Sequence, residues 1–438
     1  MDGTDLPFSK EEYFDRQSSF LENISENSLV LIPTNSLSTR SNDTHYRFRA
    51  NSYILYLSGW ADPDSVWMAF NDQGKWFSSL FVQPRDTKAE IWEGKRVGVE
   101  GALSNWPIDR AYSIEDLVEI VSSKLQSKNS VYSIPGLNEK LDNCVSGFVD
   151  EILDPRQILD KMRRIKSSNE IEIMKKSAKL ASLAHIEAMK HTYSGIGEWE
   201  IQSKIEGYFI KNQSECSYPS IVGGGENATI LHYKTNRSVI DSGQLVLVDA
   251  GCEIHGYASD ITRTWPVNGK FTDAQKEIYQ LVLKAELAGI EACKVGSSWD
   301  SIHAATSEVL AQGLINLGIL ECSLEEAIGD PPEFNGEYRK FFMHGTGHFL
   351  GLDVHDVGGG RQGDKEKGPT LEEGMVLTIE PGLYFGGWRS DIQIPERYSG
   401  IGIRIEDDVL VTEEGPIILS SSCPKTIEEI ESIVGIGV

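Results

Sequence analysis

The chain is short of basic residues. Its 438 residues hold 41 Lys and Arg against 66 Asp and Glu, a formal charge of −25. Proteins that grip duplexes or anionic lipid do so mostly through cations that neutralise phosphates. Neither nucleic acid nor a membrane surface is therefore expected as a partner. No run of about 18 apolar residues occurs, so no membrane-spanning helix is expected. The first twenty residues, MDGTDLPFSKEEYFDRQSSF, lack both the apolar stretch of a signal peptide and the arginine-rich character of a transit peptide. Cysteine is also sparse. Cys144, Cys216, Cys252, Cys293, Cys322 and Cys423 are scattered without a C-x-x-C pair. In a chain this long that pattern reads as reduced thiols, hence a cytoplasmic protein. The excess acids read mainly as solvated surface that favours solubility.

What is present suffices for a packed core: 40% of residues are hydrophobic. Division by a typical domain length suggests about three domains, but the composition marks only one border. The first part alternates short apolar runs with helical patterns. Ser28–Pro33 and Asn51–Gly59 read as strands. Ser65–Phe70 and Trp76–Val82 flank the turn Asn71–Gly74 and read as a hairpin. Ser113–Leu125 has helical periodicity with Ser113 as its N-cap. A basic stretch, Ile158–Lys166, then precedes Ser167-Ser-Asn-Glu170, a capping-box pattern that should open a long helix running to about His191. A second helix should span Glu198 to about Asn212. The reading is an α/β (α+β) protein of two domains, 1–160 and 161–438.

The second domain repeats itself weakly. Gly243-Gln-Leu-Val-Leu-Val-Asp249-Ala-Gly251 resembles Gly374-Met-Val-Leu-Thr-Ile-Glu380-Pro-Gly382. Each is followed by a strand bearing another acid, Asp260 or Glu406. Two such halves suggest a pseudo-symmetric sheet with a site between them. An acid at the end of an apolar strand is costly to bury unless paired or metal-bound. One alone reads as a salt-bridged structural residue; four in one domain favour a shared multivalent cation. Three of the nine histidines, His344, His348 and His355, fall within twelve residues, where paired glycines disfavour a helix. They read as imidazoles exposed on a cleft. Carboxylates outnumbering imidazoles suit Mn²⁺, with Co²⁺, Fe²⁺ or Zn²⁺ as alternatives. Four carboxylates and a histidine can hold two ions, which can share one hydroxide and lower its pKa. The residues thus point to metal-assisted hydrolysis.

These segments resemble a known family. Asp249 in VDAG, Asp260 in SDITRTW, His348 in HGTGHFLGLDVHD, Glu380 in TIEPGLY and Glu406 in GIRIEDD resemble the five metal ligands of the pita-bread metallopeptidases. That group includes methionine aminopeptidase, Xaa-Pro aminopeptidase (aminopeptidase P) and Xaa-Pro dipeptidase (prolidase). Thr39–Ser52, Ala89–Arg96 and Val222–Tyr233 are similar to aminopeptidase P, as is Gly251–Thr272. The resemblance implies an N-terminal mixed-sheet α/β domain, concerned with substrate access and oligomerisation, and a C-terminal pseudo-symmetric pita-bread catalytic domain.

It also implies roles. Asp249 would bind one of two divalent ions, Asp260 and Glu406 would bridge them, and His348 and Glu380 would complete the other shell. Glu380 would also accept the proton of the attacking water. His232 and His355 would stabilise the tetrahedral intermediate, and His344 would line the proline pocket. Tyr384 and Arg404 would stand beside the metal carboxylates. Gly347 stands where bacterial aminopeptidase P often has serine and prolidases often glycine. Asp353–Gly360 also resembles prolidases, and Leu55 stands where some relatives place a tryptophan lining the first-residue pocket. The implied substrates are peptides with proline second, and the implied assembly is a homodimer or homotetramer. The leading expectation is an Xaa-Pro aminopeptidase acting through a metal-bridging hydroxide. The alternatives are a dipeptidase restricted to Xaa-Pro and, more remotely, a non-catalytic binding protein on the same fold.

Overall fold

The apolar run Ser28–Pro33 forms a strand buried over its whole length, because helices cover both of its faces. The computed structural model describes residues 6–128, 130–149, 151–331, 333–359 and 368–438. Residues 1–5 of the acidic N-terminal stretch and Gly360 of the glycine run lie outside the described residues. The chain divides into two compact units, Met1–Arg163 and Arg164–Val438.

In the first unit Ser28–Pro33 pairs antiparallel with Val66–Asp72 and parallel with Ser130–Ser133. Lys75–Val82, Arg110–Ser113 and Ile152–Leu153 complete a mixed six-stranded sheet. Leu29 and Leu31 pack with Leu117, Val121 and Leu125 from one helix and Leu141 and Val145 from another. Phe20 meets Trp67 on the opposite face. The expected hairpin is present. Its turn is tighter than the sequence suggests, since Gln73 and Gly74 take φ of 52° and 85°, the left-handed pair that joins antiparallel strands most closely.

Asn51–Gly59 corrects the sequence reading: it holds a helix, Ser52–Ser58, not a strand. The Asn51 side chain accepts from the Tyr53 and Ile54 amides, and Gly59 ends the helix in the left-handed region at φ 67°. A short apolar run fits either element by periodicity alone, and here the caps decide. Leu55 stands half-buried on this helix.

The second unit opens as expected. Ser167 and Glu170 form a capping box on the helix Ser168–Lys190, and Glu198–Lys211 follows. Its sheets come from two broken hairpins. Leu245–Asp249 pairs with Thr262–Pro266, with Asp249 opposite Thr262, and Cys252–Ile254 continues against Tyr257–Ala258. Val376–Ile379 pairs with Asp407–Leu410, with Ile379 opposite Asp407, and Gly382–Phe385 continues against Ile401–Arg404. Gly243 and Gly374 open the two hairpins with φ of 86° and 87°, so the sequence repeat is a repeat of structure. The helices Asp273–Ala292 and Trp299–Asn316 help enclose the apolar core around these strands. The architecture is a mixed-sheet α/β domain followed by a pseudo-symmetric pita-bread domain.

Candidate metal centre

All four acids stand at the breaks of the two hairpins. Asp249 and Glu380 stand where the outgoing arms break; Asp260 and Glu406 stand where the returning arms break. The two hairpins are bonded to each other at these points. The Glu406 amide donates to the Thr262 carbonyl at 3.1 Å, and the Asp260 amide donates to the buried Asp408 carboxylate at 3.2 Å. Arg263, fully buried, donates to the Glu406 carbonyl at 2.6 Å and to Asp407 at 2.7 Å. The backbone on both sides of the site is thereby fixed.

A cavity of about 360 Å³ opens over the breaks, lined by Asp249, Asp260, Glu380, Glu406 and Arg404 with His232, His344, His348 and His355. One donor atom from each of Asp260, His348 and Glu406 lies within 4.8 Å of the other two. Asp249 and Glu380 border this group. Nine of the residues singled out in the sequence thus share one pocket. Tyr384 stands behind it, its hydroxyl 2.7 Å from His344 Nε2 and 3.0 Å from Arg404.

The hydrogen bonds fix atoms as well as residues. The His348 Nδ1 faces the Phe349 carbonyl at 3.0 Å, which can only accept. Nδ1 therefore carries a proton, leaving Nε2 to face Asp260 Oδ2 (3.4 Å) and Glu380 Oε1 (3.6 Å). By the same logic His344 Nδ1 donates to the Gly345 carbonyl at 2.8 Å, so Nε2 accepts from the Tyr384 hydroxyl at 2.7 Å. Arg404 donates to Tyr384 Oη at 3.0 Å, to Asp249 Oδ2 at 2.6 Å and to Thr262 Oγ1 at 3.1 Å. The Thr262 hydroxyl in turn donates to Glu406 Oε2 at 2.6 Å. One guanidinium thus orients a carboxylate on each side of the site.

The loop carrying His344 and His348 is held equally firmly. Arg339 donates to the carbonyls of Met343 and His344 at 2.8 and 2.7 Å. The buried Thr346 meets the half-buried His303 at 2.7 Å. The His348 amide donates to Thr378 Oγ1 at 3.1 Å, and the Thr378 amide donates back to the His348 carbonyl at 2.8 Å. A Cβ at Gly347 would overlap the Thr378 carbonyl. Glycine there lets the loop press against the strand leading to Glu380.

Crowding carboxylates in a buried place disfavours their charged forms. Burial, then the repulsion of Asp249, holds Asp260 well above the usual carboxylate range. Burial, then Asp260, does the same to Glu406, and burial with Glu406 pushes Glu380 up to about 8. Burial and the nearby Arg404 hold His344 well below the usual imidazole range, hence neutral. Glu380 differs from the other three acids: its carboxylate accepts no hydrogen bond from a described residue and meets only the imidazoles at 3.6 Å.

Sequence reasoning missed Tyr218. Its hydroxyl lies 2.6 Å from Asp249 Oδ1 and 2.5 Å from Asp260 Oδ1, so it bridges the two acids of the first hairpin. It sits in the short segment Ser217-Tyr-Pro-Ser220, which has no periodicity and lies far from both acids in the chain. His303 was missed for the same reason: on its helix it reads as one more polar position.

Residues 172–413 match the description of metallopeptidase family M24, and residues 13–132 match the aminopeptidase P N-terminal domain. The chain is 42% identical to an Xaa-Pro aminopeptidase of Haemophilus influenzae, over 97% of each chain. It is 37% identical to an Escherichia coli Xaa-Pro aminopeptidase, over 97% of this chain and 98% of the relative. Among solved structures, Pseudomonas aeruginosa aminopeptidase PepP superposes with a TM-score of 0.91 at 35% identity, covering 98% of both chains. The E. coli aminopeptidase P complex with the inhibitor Pro-Leu gives 0.91 at 37% identity, over 97% and 98%. Acids carried on a duplicated hairpin, and likeness extending through both units, lead to one assignment: the chain belongs to metallopeptidase family M24.

Proposed function

We propose that this chain is a metal-dependent Xaa-Pro aminopeptidase, hydrolysing the bond between a free N-terminal residue and a following proline. The observation that carries the reading is the convergence of Asp260, His348 and Glu406 in a chain similar along its whole length to proteins of that name. The donors suit divalent cations. Oxygens dominate, the one central imidazole offers a lone pair at Nε2, and repulsion among the acids is what positive charge relieves. Asp249, Asp260, His348, Glu380 and Glu406 would hold two ions, Mn²⁺ first, with Co²⁺, Fe²⁺ or Zn²⁺ as alternatives. Bound there, such ions supply a water of lowered pKa and a Lewis acid at the scissile carbonyl.

The protein's own groups do the rest. Glu380, unencumbered by hydrogen-bond donors, takes the proton of the attacking water and returns it to the departing proline nitrogen. His232 and His355, exposed at the pocket rim, donate to the oxyanion of the tetrahedral intermediate. His344, kept neutral and tied to Tyr384, lines the proline side. Arg404 keeps Asp249 aimed inward. The N-terminal domain is assigned substrate access and assembly into a homodimer or homotetramer. Six free cysteines support a cytoplasmic location; no helix among the described residues is long and apolar enough to cross a membrane.

The test compares Xaa-Pro with Xaa-Pro-Yaa-Yaa under Mn²⁺, following the free N-terminal residue by chromatography. Release from the tetrapeptide is expected. Turnover of the dipeptide alone would replace the reading with a dipeptidase. No turnover of either, with no bound metal, would leave a binding protein.

A further inference from the structure

We propose that Lys234 forms a carboxylate-recognising subsite at the pocket rim, engaging an anionic group of the substrate beyond the proline; this rests on the aminopeptidase reading above. The pocket floor carries Asp249, Asp260, Glu380 and Glu406, while its exposed lining residues are His232, Lys234 and His355. Two lining residues are permanent cations. Arg404 is buried and committed to Asp249, Tyr384 and Thr262. Lys234 makes no ion pair with any described residue, so its N–H donors remain available to a ligand.

The segment that presents Lys234 is anchored. Tyr233, between His232 and Lys234, donates its hydroxyl to Glu198 Oε2 at 2.9 Å, and the Ser238 amide donates to the same oxygen at 2.8 Å. Asn227 donates to Glu198 Oε1 at 2.8 Å. The backbone carrying His232 and Lys234 is thus tied down, and both side chains line the pocket. A peptide has a cation at its N-terminus and an anion at its C-terminus. With the scissile bond and the amine end at the floor, the lysine rim draws a carboxylate at the opposite end. The substrate class is a short peptide whose carboxylate, terminal or side-chain, lies on the residue after proline.

An exposed ion pair of this kind is worth about threefold to fivefold in affinity. The experiment measures kcat and KM for the native protein, Lys234→Ala and Lys234→Glu on three peptides: Ala-Pro-Ala acid, Ala-Pro-Ala amide and Ala-Pro-Asp amide. The native protein is expected to favour the carboxylate peptides about threefold to fivefold, mainly through KM. Lys234→Ala should remove that preference and Lys234→Glu invert it. The native preference should shrink in roughly 1 M salt, where the screening length falls to about 3 Å. Preference for only the first peptide assigns the site to a terminal carboxylate, and for only the third to an acidic side chain. A flat ratio across all three proteins, with brisk hydrolysis, overturns the subsite alone. Hydrolysis of none by the native protein overturns the aminopeptidase reading with it.

Discussion

The two broken hairpins of the C-terminal unit share their strands but not their connections. The first is closed by two residues, His255 and Gly256, at φ of 52° and 84°. The second runs through residues 386–400 before its strand returns at Ile401. Each nevertheless delivers one acid where its outgoing arm breaks and one where its returning arm breaks. The position of the carboxylates is therefore set by the break, not by the turn. A glycine stands at each break for the same reason. A Cβ at Gly251 would overlap the Ser259 carbonyl, and one at Gly382 would stand 2.8 Å from the Ile403 carbonyl. What differs is how the acids are held. Asp249, Asp260 and Glu406 each meet a hydroxyl or guanidinium. Glu380 does not, which suits an acid that must take up and release a proton.

Glu380→Gln attacks that distinction and has the largest expected effect. It should lower kcat by about 10²–10⁴-fold, measured on a Xaa-Pro tetrapeptide. A loss below tenfold would assign the proton to another group. Arg404→Lys tests the link between the hairpins. An ammonium cannot reproduce the planar fork that reaches Asp249, Tyr384 and Thr262, so metal affinity by calorimetry should fall about 10–100-fold. Unchanged affinity would show that the carboxylates orient themselves.

The glycines test the equivalence of the two breaks. Gly251→Ala should destabilise by about 3 kcal/mol or more and Gly382→Ala by about 1–3 kcal/mol, read from thermal melts. The first meets backbone more closely than the second. The reverse order would undo the comparison. The smallest effect is a pH trend of the metal-free protein. Burial and mutual repulsion raise Asp260, Glu406 and Glu380, the last to about 8. Acids whose folded pKa lies above the unfolded value stabilise fully below the unfolded value, and that contribution fades as pH rises through the folded one. The melting temperature of metal-free protein should therefore fall as pH rises from about 4.5, the ordinary value for Glu380, toward about 8, and saturating Mn²⁺ should remove the fall. A rise over that range would contradict the repulsion.

Much of this site was legible because its residues are locally announced. An acid after four apolar residues, twice, flanked by glycines, marks buried charge whatever the fold. The HGTGH segment marks imidazoles outside a helix. The capping box at Ser167 likewise named a helix start to the residue. Tyr218 and His303 were not legible, because their importance comes from partners 31 to 43 residues away, brought close only by folding. The helix Ser52–Ser58 was misread because its apolar run is shorter than the two turns that would separate helical from strand periodicity.

The most direct measurement titrates metal-free protein with Mn²⁺ while following release of the N-terminal residue from Xaa-Pro-Yaa-Yaa. Expected is no release without metal and activity that saturates near two ions per chain. Equal release from the metal-free protein, or no cleavage of the tetrapeptide at any Mn²⁺ concentration, would contradict a metal-dependent Xaa-Pro aminopeptidase.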